Sequence, residues 1–112
     1  MNDRELLELA ARAAGYAVDC GFADCPLIYG EDAGTDGPRE WNPLTEDGDA
    51  LRLAVRLGLI LETDLDDSSC SATDVFYDNY TVEEHGDCPN AAVRLVIVKC
   101  AAKIGKSMGG GE

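Results

Sequence analysis

The stretch WNPLTEDGDALRLAVRLGL, residues 41–59, holds the chain's only tryptophan and passes from an Asn-Pro turn through three acids into an aliphatic run. Pro43 disfavours helical geometry at Asn42, so the helix must begin after it. Thr45 or Asp47 is placed to cap that helix, and Glu46, Asp47 and Asp49 fall where the positive end of its dipole favours carboxylates. On a helical wheel Asp49, Arg52 and Arg56 lie within roughly 60° of one another. Leu51, Leu53, Ala54, Val55 and Leu57 then cover the remainder, which predicts a mostly buried helix ending at Gly58. Trp41 and Leu44 are expected to pack against it, with an exposed Trp41 as the alternative, a binding anchor.

Working outward, Leu6, Leu9, Ala10 and Ala13 recur at helical spacing and Gly15 supplies a left-handed stop, so a first helix spans residues 3–14. Asn2 and Glu5 resemble a capping box, and Glu8 precedes Arg12 by one turn as a surface pair. Residues 16–22 alternate with the period of a strand; PLIYG, residues 26–30, offers a second, joined to it by a turn near Asp24. Residues 30–40 contain Gly30, Gly34, Gly37 and Pro38 and read as a loop.

Beyond Gly58, Leu59, Leu61, Thr63 and Leu65 alternate with Ile60, Glu62, Asp64 and Asp66, the pattern of a strand with one apolar and one acidic face. DDSSCSA, residues 66–72, reads as a polar turn, and TDVFYDNYTV, residues 73–82, as the partner strand. A last helix starts at Asp87 or Cys88 with Pro89 in its first turn. It presents Val93, Ile97, Cys100, Ala101, Ile104 and Met108 on one side, the expected packing face, and Lys99, Lys103 and Lys106 on another. The reading is one domain over residues 1–108 and a tail, GGGE, at 109–112.

The 112 residues suffice to bury roughly 65% of the unfolded chain's surface, so no metal or disulfide is required for a core. The composition, 46% hydrophobic but only 6% aromatic, predicts an aliphatic interior. The first residues lack the pattern of a secretory signal, and no apolar run approaches the roughly 18 residues of a membrane span. Five cysteines, Cys20, Cys25, Cys70, Cys88 and Cys100, form no CxxC pair and are expected to be free thiols. Cys20, Cys25, His85 and Cys88 have ligand types that suit zinc, but Cys-x4-Cys and His-x2-Cys are weak spacings.

Catalytic motifs are wanting. His85 lies in VEEHGD, read as a solvated turn, and no nucleophile motif accompanies it. Gly105-Lys106-Ser107 ends a helix instead of opening one, unlike a phosphate-binding loop. At Glu62, Asp64 and Asp66 a calcium loop would require glycine where Asp67 stands and glutamate where Thr73 stands. The chain therefore reads as a non-enzymatic protein without a cofactor.

Charge is the strongest remaining signal. Nine lysines and arginines face 22 acids, for a net charge of -13. Glu62, Asp64, Asp66, Asp67, Asp74, Asp78, Glu83, Glu84 and Asp87 follow one another with no lysine or arginine between. Such a chain is repelled by nucleic acid and by anionic lipid and is steered toward basic protein surfaces. These nine acids are the candidate partner-binding residues; solvation of an exposed sheet face is the plainer explanation.

The capped first helix, WNPLTEDGDALRLAVRLGL and NAAVRLVIVKCAAKIGKSM, residues 90–108, together resemble the phage ABA sandwich domain family, small proteins of bacteriophages and prophages. The resemblance covers nearly the whole chain and is most specific in the Trp-Asn-Pro-Leu turn running into Asp-Gly-Asp-Ala-Leu-Arg-Leu-Ala. It implies an α+β fold, a single-domain α-β-α sandwich with a mainly antiparallel sheet of about four strands and three helices. It carries over no activity and no catalytic residues. A phage protein would act in the cytoplasm of the infected bacterial host. The corresponding expectation is a binder of a basic protein surface, in its sharpest form a nucleic-acid mimic inhibiting a host nucleic-acid-binding defence complex in the anti-CRISPR manner. The alternative is an accessory protein acting through an apolar surface or dimerisation near Trp41.

Overall fold

The computed structural model of the chain describes residues 3–19, 27–29, 39–75 and 79–108. The Asn2 cap, the turn near Asp24, Cys20, Cys25, the loop over 30–38, Asp78 and the tail at 109–112 lie outside the described residues. Among the described residues three helices, α1 (Asp3–Ala14), α2 (Asp47–Leu57) and α3 (Pro89–Met108), combine with six short strands in an α+β fold. Strands β1 (Ala17–Asp19), β2 (Leu27–Tyr29) and β3 (Arg39–Glu40) form one antiparallel meander. A second consists of β4 (Ile60–Asp64), β5 (Ser69–Thr73) and β6 (Tyr80–Glu84). Among the described residues the strands thus pair as two three-stranded sheets, and a single sheet of about four strands is not found.

The helix limits follow the sequence signals. Gly15 turns left-handed after α1, where the amides of Gly15 and Tyr16 donate to the Arg12 and Ala11 carbonyls. Gly58 does the same for α2, donating to Val55, while Leu59 donates to Ala54. Pro89 opens α3.

The start of α2 differs from expectation. Its N-cap residue is Glu46, which makes no side-chain cap, so neither Thr45 nor Asp47 performs that task. Asn42 organises the turn instead: its side-chain oxygen accepts the Leu44 amide at 3.1 Å, and its carbonyl accepts the amides of Thr45 and Glu46. Asp49 reaches back seven residues to accept the Asn42 amide at 3.0 Å and also holds Arg52 at 2.8 Å. Hence Asp49 is buried, contrary to its placement on a polar exterior stripe. The inward stripe is Asp49, Ala50, Leu53 and Ala54, whereas Leu51 and Val55 are 61% and 72% exposed. A helix expected to be mostly buried is therefore half bare.

Trp41 is 1% exposed and meets Tyr16 edge to face at 5.5 Å between ring centroids, in a core with Leu7, Ala10, Leu53, Ile97, Val98 and Ala101. A second cluster joins Cys70 and Ala72 of β5 to Ala92, Val96 and Cys100 of α3. Because α3 serves both clusters, it buries residues on more than the single face expected. It lies between the other two helices and β5–β6, and the second sheet has helix packing on one side among the described residues. At Gly105 a Cβ would fall on the backbone carbonyl of Leu9, so the missing side chain is what lets α1 and α3 approach.

Strand β5 is the chief departure in the sheet. Residues read as a turn are its central strand, and the turn is confined to Leu65–Ser68. Small side chains allow α3 to lie close over Cys70 and Ala72, and two flanking strands supply the pairing that a serine-rich run would not secure alone. Residues 74 and 75 interrupt the long strand expected over 73–82, and β6 begins at Tyr80.

Candidate functional site

Strand register sorts every side chain of the second sheet to one of two faces. Leu61, Thr63, Cys70, Ala72, Thr81 and Glu83 face α3; Ile60, Glu62, Asp64, Ser69, Ser71, Thr73, Tyr80, Val82 and Glu84 face away. On the outward face Ile60, Thr73 and Tyr80 form one cross-strand row, Glu62, Ser71 and Val82 the next, and Asp64, Ser69 and Glu84 the last. The face is thus apolar at one end and acidic at the other. Tyr80 and Val82 are each 54% exposed, and Ile60 and Glu62 are exposed as well.

The Leu65–Ser68 turn extends the acidic end. Asp64 accepts the amides of Asp66 and Asp67 at 2.9 and 3.2 Å, which fixes the turn and projects both residues into solvent. The His85 amide donates to Ser68 at 2.7 Å, holding the end of β6 and the exposed Asp87 beside the same turn. Glu62, Asp64, Asp66, Asp67, Glu84 and Asp87 therefore share one end of the sheet. Asp66 belongs to the turn, so the acidic ribbon expected along the strand narrows to Glu62 and Asp64.

The other candidate acids serve the fold. Glu83 points inward and meets Lys99 at 2.5 Å. Asp74 is buried and accepts the Asn79 side-chain amide at 2.9 Å. Asp78 is outside the described residues.

The cations are largely committed elsewhere. Arg52 serves Asp49, and Arg56 donates to the Ala14 carbonyl at 2.6 Å while lying over the Tyr16 ring. Arg94 ties the Leu44 carbonyl and Asp47 to α3. At the surface Arg4, not Arg12, pairs with Glu8. No lysine or arginine occurs between Arg56 and Arg94, so the acidic end of the sheet has no cation of its own strands to neutralise it.

Trp41, the alternative anchor, is a core residue. Its place at the surface is taken by Leu51 and Val55, which line an open groove of about 650 Å³ with Arg52 and Arg56. Their exposure was hidden because an aliphatic helix reads as buried whichever side faces inward.

His85 is buried, not solvated, and its Nε2 has no hydrogen-bond partner. Cys88 is exposed, and no group of three or more His, Cys, Asp or Glu among the described residues is arranged for a metal ion. Cys70, Cys88 and Cys100 are free thiols. Burial, chiefly, and the Asp74 carboxylate push Cys100 up to about 11, against a smaller opposing effect of Lys103. Cys70 is raised by burial and by Glu83. These are packing thiols, held neutral. No described helix is long and apolar enough to cross a membrane.

Compared with known proteins, the chain matches no family model, no curated protein and no solved structure.

Proposed function

We propose that this is a non-enzymatic binding protein whose outward β4–β6 face docks on a basic surface of another protein. The observation that carries the reading is the collection of six acids at one end of a face bordered by exposed Ile60, Tyr80 and Val82. Acids there offer steering and orientation, and the adjoining apolar row offers area to desolvate. In its sharper form the partner surface normally holds nucleic acid. Glu62 and Asp64 stand about 6.7 Å apart on the strand, close to the roughly 7 Å between neighbouring phosphates. The resemblance to phage proteins makes a host defence complex in the infected bacterial cytoplasm the partner class of choice.

The test is capture from bacterial lysate with the wild type and with Glu62→Lys, Asp66→Lys and Glu84→Lys combined. All three side chains are exposed, and Asp64 is left in place because it holds the turn. The wild type is expected to retain basic proteins at low salt and release them as salt rises, while the variant, still folded, retains none of them. Equal capture by both, or capture indifferent to salt, would refute the reading.

A second reading is favoured by one observation, the exposure of Leu51 and Val55. They support an accessory protein that associates through this apolar α2 face, with the acids serving solubility. Association that survives high salt and is lost in Leu51→Ser/Val55→Ser would establish it over the first.

A further inference from the structure

Among the described residues no strand pairs with the edge of β6 opposite β5. That edge forms one wall of a cleft of about 680 Å³, whose other lining includes Lys99, Ala102, Lys103 and Lys106 of α3 and Leu6 of α1. Antiparallel pairing fixes what the edge offers. The Asp74 amide donates to Asn79 and the His85 amide to Ser68, so residues 79, 81, 83 and 85 direct their backbone groups toward β5. By alternation Tyr80, Val82 and Glu84 direct theirs to the open edge, where Tyr80 and Val82 line the cleft. Lys103 accordingly reaches the Tyr80 carbonyl at 2.6 Å.

The facing lysines stand four and three residues apart on α3, at rises of about 6 and 4.5 Å. They are three of nine basic residues in a chain of net charge -13, gathered on one cleft. Lys99 holds Glu83 and Lys103 holds a carbonyl, while Lys106 has no ion pair among the described residues. A second copy of this chain is a poor occupant, since two molecules of that charge repel.

We infer that the cleft receives an extended acidic segment of a partner protein as an added strand on β6. Its backbone pairs with the free groups of Val82 and Glu84, and its carboxylates meet the lysine row, beginning with Lys106. This site uses the backbone edge of β6, not the outward side chains of the acidic end, and takes a ligand of opposite charge.

The experiment is an amide NMR titration of the whole chain with a short capped peptide alternating valine and glutamate, and with its valine-lysine counterpart. The acidic peptide is expected to shift the amides of Tyr80, Val82 and Glu84, and the basic one to leave them in place. Val82→Pro removes a donor only from the free edge and is expected to weaken binding about tenfold or more. Lys106→Glu, at an exposed helix position that cannot unfold the sheet, is expected to weaken it severalfold. The inference is overturned if the acidic peptide leaves β6 unshifted at millimolar concentration. It is equally overturned if both variants bind as the wild type does, if phosphate or octanoate alone reproduces the shifts, or if the shifts arise from protein concentration without peptide.

Discussion

Glu83 and Glu84 are adjacent in the chain and belong to different regions of the molecule. Glu83 faces α3 and is neutralised by Lys99; Glu84 faces outward beside Ser69, in the same cross-strand row as Asp64, with no cation from its own sheet. The two faces of the second sheet differ in this way along the flanking strands, whereas on the central strand Ser71 and Thr73 are buried although they face outward. Inside, small residues admit the helix and polar groups are matched, as where the Thr81 hydroxyl donates to the Val96 carbonyl at 3.0 Å. Outside, Ile60, Tyr80, Val82 and the acids are left to solvent. The lesson is that acidity along a chain says little about a surface until strand period and partner cations divide it.

The comparison is broken most severely by disturbing the layer behind α3. Trp41→Ala is expected to lower unfolding free energy by about 3–5 kcal/mol in denaturant titration, the loss typical of a large buried aromatic. A variant of unchanged stability would return Trp41 to the surface. Gly105→Ala comes next, at about 2–3 kcal/mol, because the new methyl group meets the Leu9 backbone of α1.

The thiols sharpen the contrast between covered and uncovered positions. Cys100 is raised to about 11 in the fold from an ordinary 9.0, so the folded state holds its proton more tightly than the unfolded one. The stability this contributes is complete below about pH 9 and is lost as pH rises toward 11. Thermal melts across that window are expected to fall for the wild type and to flatten in Cys100→Ala. At neutral pH, alkylation followed by peptide mapping is expected to find Cys88 modified at least about a hundredfold faster than Cys100. The smallest effect separates the neighbouring glutamates: Glu83→Gln costs about 0.5–1 kcal/mol and Glu84→Gln close to nothing. Equal costs would mean that the two faces are not distinct.

Much of this architecture was legible in the sequence. Glycine stops, the proline at the start of α3 and the apolar periods set the helices, and the alternation after Gly58 placed Glu62 and Asp64 opposite Leu61. Local pattern failed where a distant contact decides the outcome. Ser69–Thr73 is a strand because two strands flank it and a helix lies over it. Asp49 is buried because Asn42, seven residues away, donates to it. Gly105 looked incidental in Gly-Lys-Ser until the Leu9 backbone was placed against it. The candidate acids divided for the same reason: Glu83 and Asp74 have partners that no spacing rule reveals, whereas the acids of the Leu65–Ser68 turn keep the exposure their sequence implied.

The proposed docking face requires that nothing in the protein covers it. Methyl NMR with a soluble paramagnetic agent measures this directly. Ile60 and Val82 are expected to broaden strongly while Ala72 and Val96 remain sharp. Protection of Ile60 and Val82 equal to that of Ala72 would mean that another layer lies over β4–β6, and the binding face would not exist in the free protein.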